Sequence, residues 1–290
     1  MSRPIAQRWL ELLSRRSLRT QYRLGRLFGQ VLRNTPNQIS RQTRENIELC
    51  FADLGHDQRR RLFRESIDHT CYSMIELAAV WCWPVDRVLA TITSLDICEE
   101  FSNSGRARII LAPHLGSWET LGVWLGRHCE AIMLYKQRKR KHQATDRFIL
   151  EARSRSGGTL VPTKKPGLRQ LLIGLKQGRS LMILPDQRPR GRKASIPSTF
   201  FGFGASTTTL VQALCCRVDC DVFIASACRS DPPGEFGLRI RSLEHARLAA
   251  DQASSAQYMN DAIEALVRLQ PCQYQWGYRR FTTSAYNTIR

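Results

Sequence analysis

The stretch Ile109-Ile110-Leu111-Ala112-Pro113-His114-Leu115-Gly116-Ser117-Trp118-Glu119 changes character twice within a few residues. A β-branched apolar run ends in Pro-His, Gly-Ser follows, and then a helical pattern begins, which reads as strand, tight turn and helix start. Ser117 suits the N-cap, and Glu119 then falls in the first helical turn, where a carboxylate complements the helix dipole. His114 stands at the strand's exit, so the turn can fold the Glu119 carboxylate back onto the imidazole. A carboxylate holding an imidazole fixes its tautomer and supports the charge gained on taking a proton. That pairing predicts a general base with no nucleophile of its own. A surface or capping pair is the alternative. Position favours chemistry, because ligands in open α/β sheets gather at the carboxyl ends of strands.

Outward from this turn the pattern alternates. Strands are predicted over 107–112, 130–135, 158–162, 180–185, 221–227 and 237–242, and helices over 117–127, 143–156, 166–177, 205–216 and 253–268. Such alternation predicts an α/β fold with a mixed, largely parallel central sheet covered by helices. Helical patterns at 40–52, 57–80 and 84–90 add an N-terminal helical layer. The predicted organisation is a basic amphipathic helix over 1–33, then a single domain over 34–290. That domain divides into a helical layer (34–105) and an α/β core (106–290).

A hydrophobic fraction of 42% with 24% charged residues excludes a disordered chain. The net charge of +19 points to anionic partners: phosphorylated lipid, an acidic carrier protein or nucleic acid. No RNA-recognition, zinc-finger or helix-turn-helix signature supports nucleic acid, so none is expected as a partner. The ten cysteines contain no C-x-x-C. Cys215, Cys216, Cys220 and Cys228 cluster in an apolar stretch with no nearby histidine in metal-ligand spacing, so buried thiols rather than a metal site are expected. Without a secretory signal, the reducing cytoplasm is the expected compartment.

The most apolar segment, Tyr72 to Trp83, is short and interrupted by Glu76, so membrane contact is expected to be peripheral. Residues 1–33 carry eight arginines and one acid, Glu11, with Trp9 and a series of leucines at helical spacing. This is the pattern of an interfacial anchor on an anionic membrane surface; a helix packed on the protein's own core is the competing reading.

Further along, His114-x4-Glu119, Tyr135, Arg155, Pro185-Asp186-Gln187, Phe200-Phe201-Gly202, Thr207-Thr208 and Pro271 to Phe281 appear in order. Together with Arg41-x2-Arg44-Glu45-Asn46-Ile47-x3-Phe51, this set resembles the bacterial lipid A biosynthesis acyltransferases, the late lauroyl/myristoyl transferases, over roughly residues 35–282. These belong to the wider glycerolipid acyltransferase superfamily, so the resemblance implies a fold of that type. It also implies transfer of a fatty acyl chain from an acyl carrier protein thioester to a hydroxyl of a lipid A precursor, at the cytoplasmic face of the bacterial inner membrane.

In that reading His114 is the base and Glu119 orients it. An acyl thioester is already activated, so no acyl-enzyme and no cofactor is needed beyond acyl-ACP or acyl-CoA as co-substrate. Backbone amides near Gly116 and Ser117 are the expected oxyanion donors. Arg155 is expected to hold phosphate or phosphopantetheine, with Arg153 competing for that role, and a solvated helix-end arginine is the alternative. Asp186 is expected to orient Arg155 or the acceptor, or else to cap a turn. Tyr135 is placed with the substrate-binding residues, and Phe201 and Gly202 are expected along the acyl path, although a plain buried aromatic pair would look the same.

The run Lys136-Gln137-Arg138-Lys139-Arg140-Lys141-His142 offers five cations, Lys136, Arg138, Lys139, Arg140 and Lys141, to the carrier protein or to glycolipid phosphates. A merely solvated face would have the same composition. Relatives usually begin with a more continuous hydrophobic anchor than this arginine-rich segment. Two other readings stay open: acylation of a different acceptor, such as another glycolipid or an aryl-polyene or ornithine-type lipid, and a non-catalytic cationic membrane-binding protein.

Overall fold

The computed structural model describes residues 5–135, 143–163, 165–189 and 194–288. Its centre is a seven-stranded sheet in the order β1-β9-β8-β2-β5-β3-β4. In chain order the strands are β1 (Ile92–Ile97), β2 (Arg108–Leu111), β3 (Ile132–Tyr135), β4 (Thr159–Pro162), β5 (Ser180–Ile183), β8 (Asp221–Arg229) and β9 (Phe236–Leu243). All neighbours run parallel except β8 and β9. A separate hairpin is formed by β6 (Ser195–Phe200) and β7 (Phe203–Thr208).

The central strands read as continuous apolar runs because both of their faces are covered. Ile109 and Leu111 of β2 belong to one core with Leu181, Ile183, Val222 and Ile224. The alternate residue Ile110 belongs to the opposite core with Met182 and Phe223. Helix α8 (Trp118–Cys129) covers this second face through Leu121, Trp124 and Leu125. Helices α10 (Lys165–Lys176) and α13 (Gln252–Leu269) close the first through Leu171, Leu175, Met259 and Ile263.

The N-terminal layer comprises α1 (Ile5–Ser14), α2 (Leu18–Asn34), α3 (Gln38–Cys50), α4 (His56–Ile75), α5 (Leu77–Cys82) and α6 (Val85–Leu89). Two helices, not one, occupy the first thirty-odd residues, since Ser17 caps α2 by accepting from the Thr20 amide at 3.3 Å. Helix α2 lies tightly on α4: a Cβ on Gly29 would sit 2.2 Å from an Asp68 carboxylate oxygen and 3.4 Å from its Cα, so a larger residue would push that carboxylate aside. Leu18 and Tyr22 face inward against Tyr72 and Trp83. Leu24, Leu27, Phe28 and Val31 face outward with Ile5, Trp9 and Leu12 of α1. Part of this segment therefore packs on the protein's own core, while its other apolar residues stay exposed.

Two expectations fail locally. Residues 92–97 form an edge strand inside the stretch predicted as helical; their apolar residues do not alternate, and a register shift interrupts the pairing. The helix predicted over 205–216 begins only at Leu210 (α11, Leu210–Cys215), because Ala205 to Thr208 pair with β6. Among the described residues no helix is long and apolar enough to cross a membrane.

Candidate active site

Strands β2 and β5 are adjacent and in register, with Leu111 opposite Ile183. The chain leaves both at the same edge, which carries His114 and Asp186 to matching positions beyond the paired residues. The Asp186 carboxylate accepts twice from His114, from the backbone N–H at 2.9 Å and from ring Nδ1 at 2.8 Å. Burial first, then the nearby Asp186 charge, raises the Tyr274 phenol well above its ordinary value. Burial alone would raise the Asp186 acid. The facing His114 ring and the two His114 hydrogen bonds outweigh it and hold the group below the ordinary carboxylate value. With Nδ1–H donating to an anion, Nε2 carries the free lone pair. It accepts from the Gln187 side-chain amide at 3.2 Å, and that amide also reaches Gln275 Oε1 at 3.3 Å.

The turn that aims His114 is fixed from three sides. Gly116 has φ +65°, and a Cβ there would lie 2.2 Å from the Ala227 carbonyl oxygen. The Gly116 amide donates to Gln273 O at 3.0 Å and the Ser117 amide to Ala227 O at 2.7 Å. Both expected oxyanion donors are thus already committed to the fold. Gln275 N donates back to His114 O at 3.0 Å, so the C-terminal segment clamps the turn.

Glu119 is not the partner of His114. The first turn of α8 directs its carboxylate to Arg153 of α9 (Gln143–Ser154), which grips both oxygens, and Trp81 Nε1 donates to Oε2 at 3.0 Å. Burial lowers the Arg153 affinity for its proton, but the Glu119 carboxylate more than restores it.

Two cavities meet here. One, of about 410 Å³, runs between α8, α9 and strands β3 to β5, lined by Gly122, Val123, Met133, Leu134, Leu160 and Met182. The other, of about 420 Å³, opens toward α4 and the C-terminal segment, lined by His69, Ser73, Met74, Leu77, Gln275 and Tyr278. Trp81, His114, Trp118, Glu119, Arg153 and Gln187 belong to both. Among the described residues, neither cavity is lined by a cysteine.

The remaining predicted residues disperse. Arg155 donates to the Val80 carbonyl at 2.6 Å and the Ala152 carbonyl at 3.2 Å; it ties α9 to α5 and lines neither cavity. Arg153, two residues earlier, lines both cavities with its guanidinium on Glu119. Tyr135 also lines neither cavity; its carbonyl accepts from the Thr163 amide at 3.0 Å. Phe201 and Gly202 form the positive-φ turn of the β6–β7 hairpin. Phe201 is buried against Phe51 and Trp276, away from both cavities. Lys136, Arg138, Lys139, Arg140 and Lys141 lie outside the described residues. The residues passed over are Trp81, Trp118, Gln187 and Tyr274, whose relevance depends on contacts across the sheet edge rather than on spacing.

A mostly parallel sheet carrying an imidazole at the meeting of two cavities on its carboxyl edge is the build of an α/β acyltransferase. The chain belongs to the bacterial lipid A biosynthesis acyltransferase family, whose model matches residues 8–283. It is similar to the lipid A biosynthesis palmitoleoyltransferase of Escherichia coli K12, at 26% identity over 90% of this chain and 84% of the relative. The lauroyltransferase of the same organism is 22% identical over 90% and 85% of the two chains, and its myristoyltransferase 22% over 88% and 77%. The protein is accordingly an O-acyltransferase.

Proposed function

We propose that this enzyme transfers a fatty acyl chain from an acyl carrier protein thioester to a hydroxyl of a lipid A precursor, with His114 Nε2 as the base. One observation carries the reading: Nδ1 is locked on Asp186 while Nε2 faces the junction of two cavities. The apolar cavity behind α8 takes the acyl tail, and the more polar one takes the acceptor. Nε2 removes the hydroxyl proton as oxygen attacks the thioester carbonyl. Collapse of the tetrahedral intermediate expels the thiolate, which the imidazolium reprotonates. Asp186 stabilises that imidazolium. Since the turn amides are used, the oxyanion is met by side-chain donors at the junction: the Arg153 N–H groups not spent on Glu119, and the Gln187 N–H released when the acceptor hydroxyl replaces it at Nε2.

The lipid acceptor implies work at a membrane surface, the cytoplasmic face of the inner membrane. Trp9 and Phe28 are 62% and 66% exposed, on helix faces flanked by Arg8, Arg15, Arg16, Arg19, Arg23 and Arg26. That combination suits an anionic leaflet. The net charge of +19 also suits an acidic carrier.

The test is incubation with acyl-ACP and acyl-CoA thioesters and a panel of lipid A precursors and other glycolipids, read by mass spectrometry. Acylated lipid A precursor formed from acyl-ACP, and lost in His114→Ala, is expected. Full turnover by that variant, or acylation only of another lipid, defeats the reading. Leu27→Ser with Phe28→Ser should reduce co-sedimentation with anionic vesicles; unchanged recovery rejects the membrane role.

A further inference from the structure

A second constellation lies at the opposite edge of the sheet from His114. Strands β8 and β9 pair antiparallel with Val222 opposite Leu243, which sets the residues just before one strand beside those just after the other. Cys220 precedes β8, and His245 opens α12 (His245–Leu248) after β9. Cys215, the last residue of α11, closes the group. The two sulfur atoms and a ring nitrogen of His245 all lie within 4.8 Å of one another. Both thiols are buried, 3% and 0% exposed. His245 Nε2 lies 3.3 Å from the Val218 carbonyl, which anchors the ring to the same short loop. The spacing of the cysteines hides this histidine, which is twenty-five residues from Cys220 in sequence and adjacent only through the hairpin.

We propose that Cys215, Cys220 and His245 bind a zinc ion that pins α11, the start of β8 and α12 together. Two thiolates and an imidazole are a donor set that suits zinc. Zinc–sulfur and zinc–nitrogen bonds of about 2.3 and 2.0 Å bring donors around a tetrahedral ion to roughly 3.3–3.8 Å apart. The three side chains need draw in by only about an ångström. Binding displaces one proton from each thiol, so Zn²⁺ and two thiols give a neutral site and two released protons, which suits a buried position. Water completes the tetrahedron on the partly exposed His245 side. The ion is structural, since the transfer chemistry lies at the other edge.

The experiment uses the full-length protein, reduced and stripped with chelator, then titrated with Co²⁺ and Zn²⁺. One equivalent of Co²⁺ with a thiolate-to-cobalt charge-transfer band is expected, displaced by Zn²⁺ with a rise in Tm. Cys220→Ser and His245→Ala should each lose the band and the Tm rise, while Cys50→Ser and Cys228→Ser keep both. Because the spectrum is read first on the wild-type chain, a variant that misfolds does not shield the proposal. A band that survives in Cys220→Ser and His245→Ala, or vanishes with Cys50 or Cys228, overturns it. So does a reduced wild-type chain that takes up neither ion.

Discussion

Asp186 Oδ1 lies 2.8 Å from His114 Nδ1, while the Glu119 carboxylate is held by Arg153 and Trp81. The acid paired with His114 thus comes from the neighbouring strand, not from the helix that follows it. The two carboxylates have separable duties, and kinetics should divide them.

Asp186→Asn replaces an anion facing Nδ1–H with a neutral amide that can also donate, which permits the wrong tautomer. The expected result is a kcat loss on the order of 10²–10⁴-fold with KM little changed. Nitrogen NMR of His114 should show the proton shared with Nε2. Near-wild-type kcat would show that Asp186 only braces the turn.

Glu119 and Arg153 should behave as one unit. Glu119→Gln frees a guanidinium that lines both cavities, and Arg153→Ala strands a buried carboxylate. Each single change should lower kcat/KM, and the double variant should fall far short of the product of the two losses. Strict additivity in the four-way cycle would mean that the pair contributes nothing jointly.

How much of this could be read in the sequence follows from which contacts are local. The β2–turn–α8 unit was legible because apolar period, Gly116 and Ser117 all act within a few residues. The other sheet-core strands were legible as uninterrupted or alternating apolar runs. His114 with Asp186 was not, because the two stand seventy-two positions apart and their meeting depends on β2 and β5 being neighbours. Glu119 misled because closeness in sequence suggested closeness in space, whereas α8 turns its side chain toward α5 and α9. Arg155 and Arg153 sit two apart on one helix, and only the packing of α9 decides which faces the site. Thr207-Thr208 looked like the start of a helix because its strand partner, Ser195-Ile196, pairs through a hairpin with no simple alternation.

Gly122 should set the length of the acyl chain. A Cβ there would meet Met133 Sδ at 3.5 Å and Met182 Sδ at 3.8 Å, ordinary contact that the fold tolerates. Gly122→Ala should be stable, even gaining up to about 1 kcal/mol from helix propensity. Gly122→Leu should shift kcat/KM toward shorter acyl thioesters, since one methylene in an apolar pocket is worth roughly 1–3 kcal/mol. An unaltered chain-length profile would place the tail elsewhere.

His69 gives a pH signature. Burial, aided by the Arg229 charge, lowers its pKa from 6.5 to about 3, and Nδ1 has no hydrogen-bond partner among the described residues. Between those values the unfolded chain binds the extra proton, so its contribution is complete above pH 6.5 and shrinks as pH falls toward 3. The slope is at most about 1.4 kcal/mol per pH unit. Urea unfolding at several pH values should show a shallower acid loss for His69→Phe, which keeps a ring against Tyr72. Parallel curves for both proteins would exclude the effect.

The buried pair Arg229–Glu76 links the N-terminal layer to the turn that carries His114. Arg229 donates to both Glu76 oxygens at 2.8 and 2.6 Å, and Nη2 lies 3.2 Å from the Gly116 carbonyl; Tyr22 donates to Glu76 at 2.7 Å. Glu76→Gln leaves a full charge in the interior and should cost about 3–5 kcal/mol. Replacing both residues with methionine removes the stranded charge, so stability should recover most of that loss. Activity should not recover in step, because the Gly116 carbonyl loses its donor and the turn aiming His114 loosens. Matched recovery of stability and kcat in the double variant would show that Arg229 serves the fold alone.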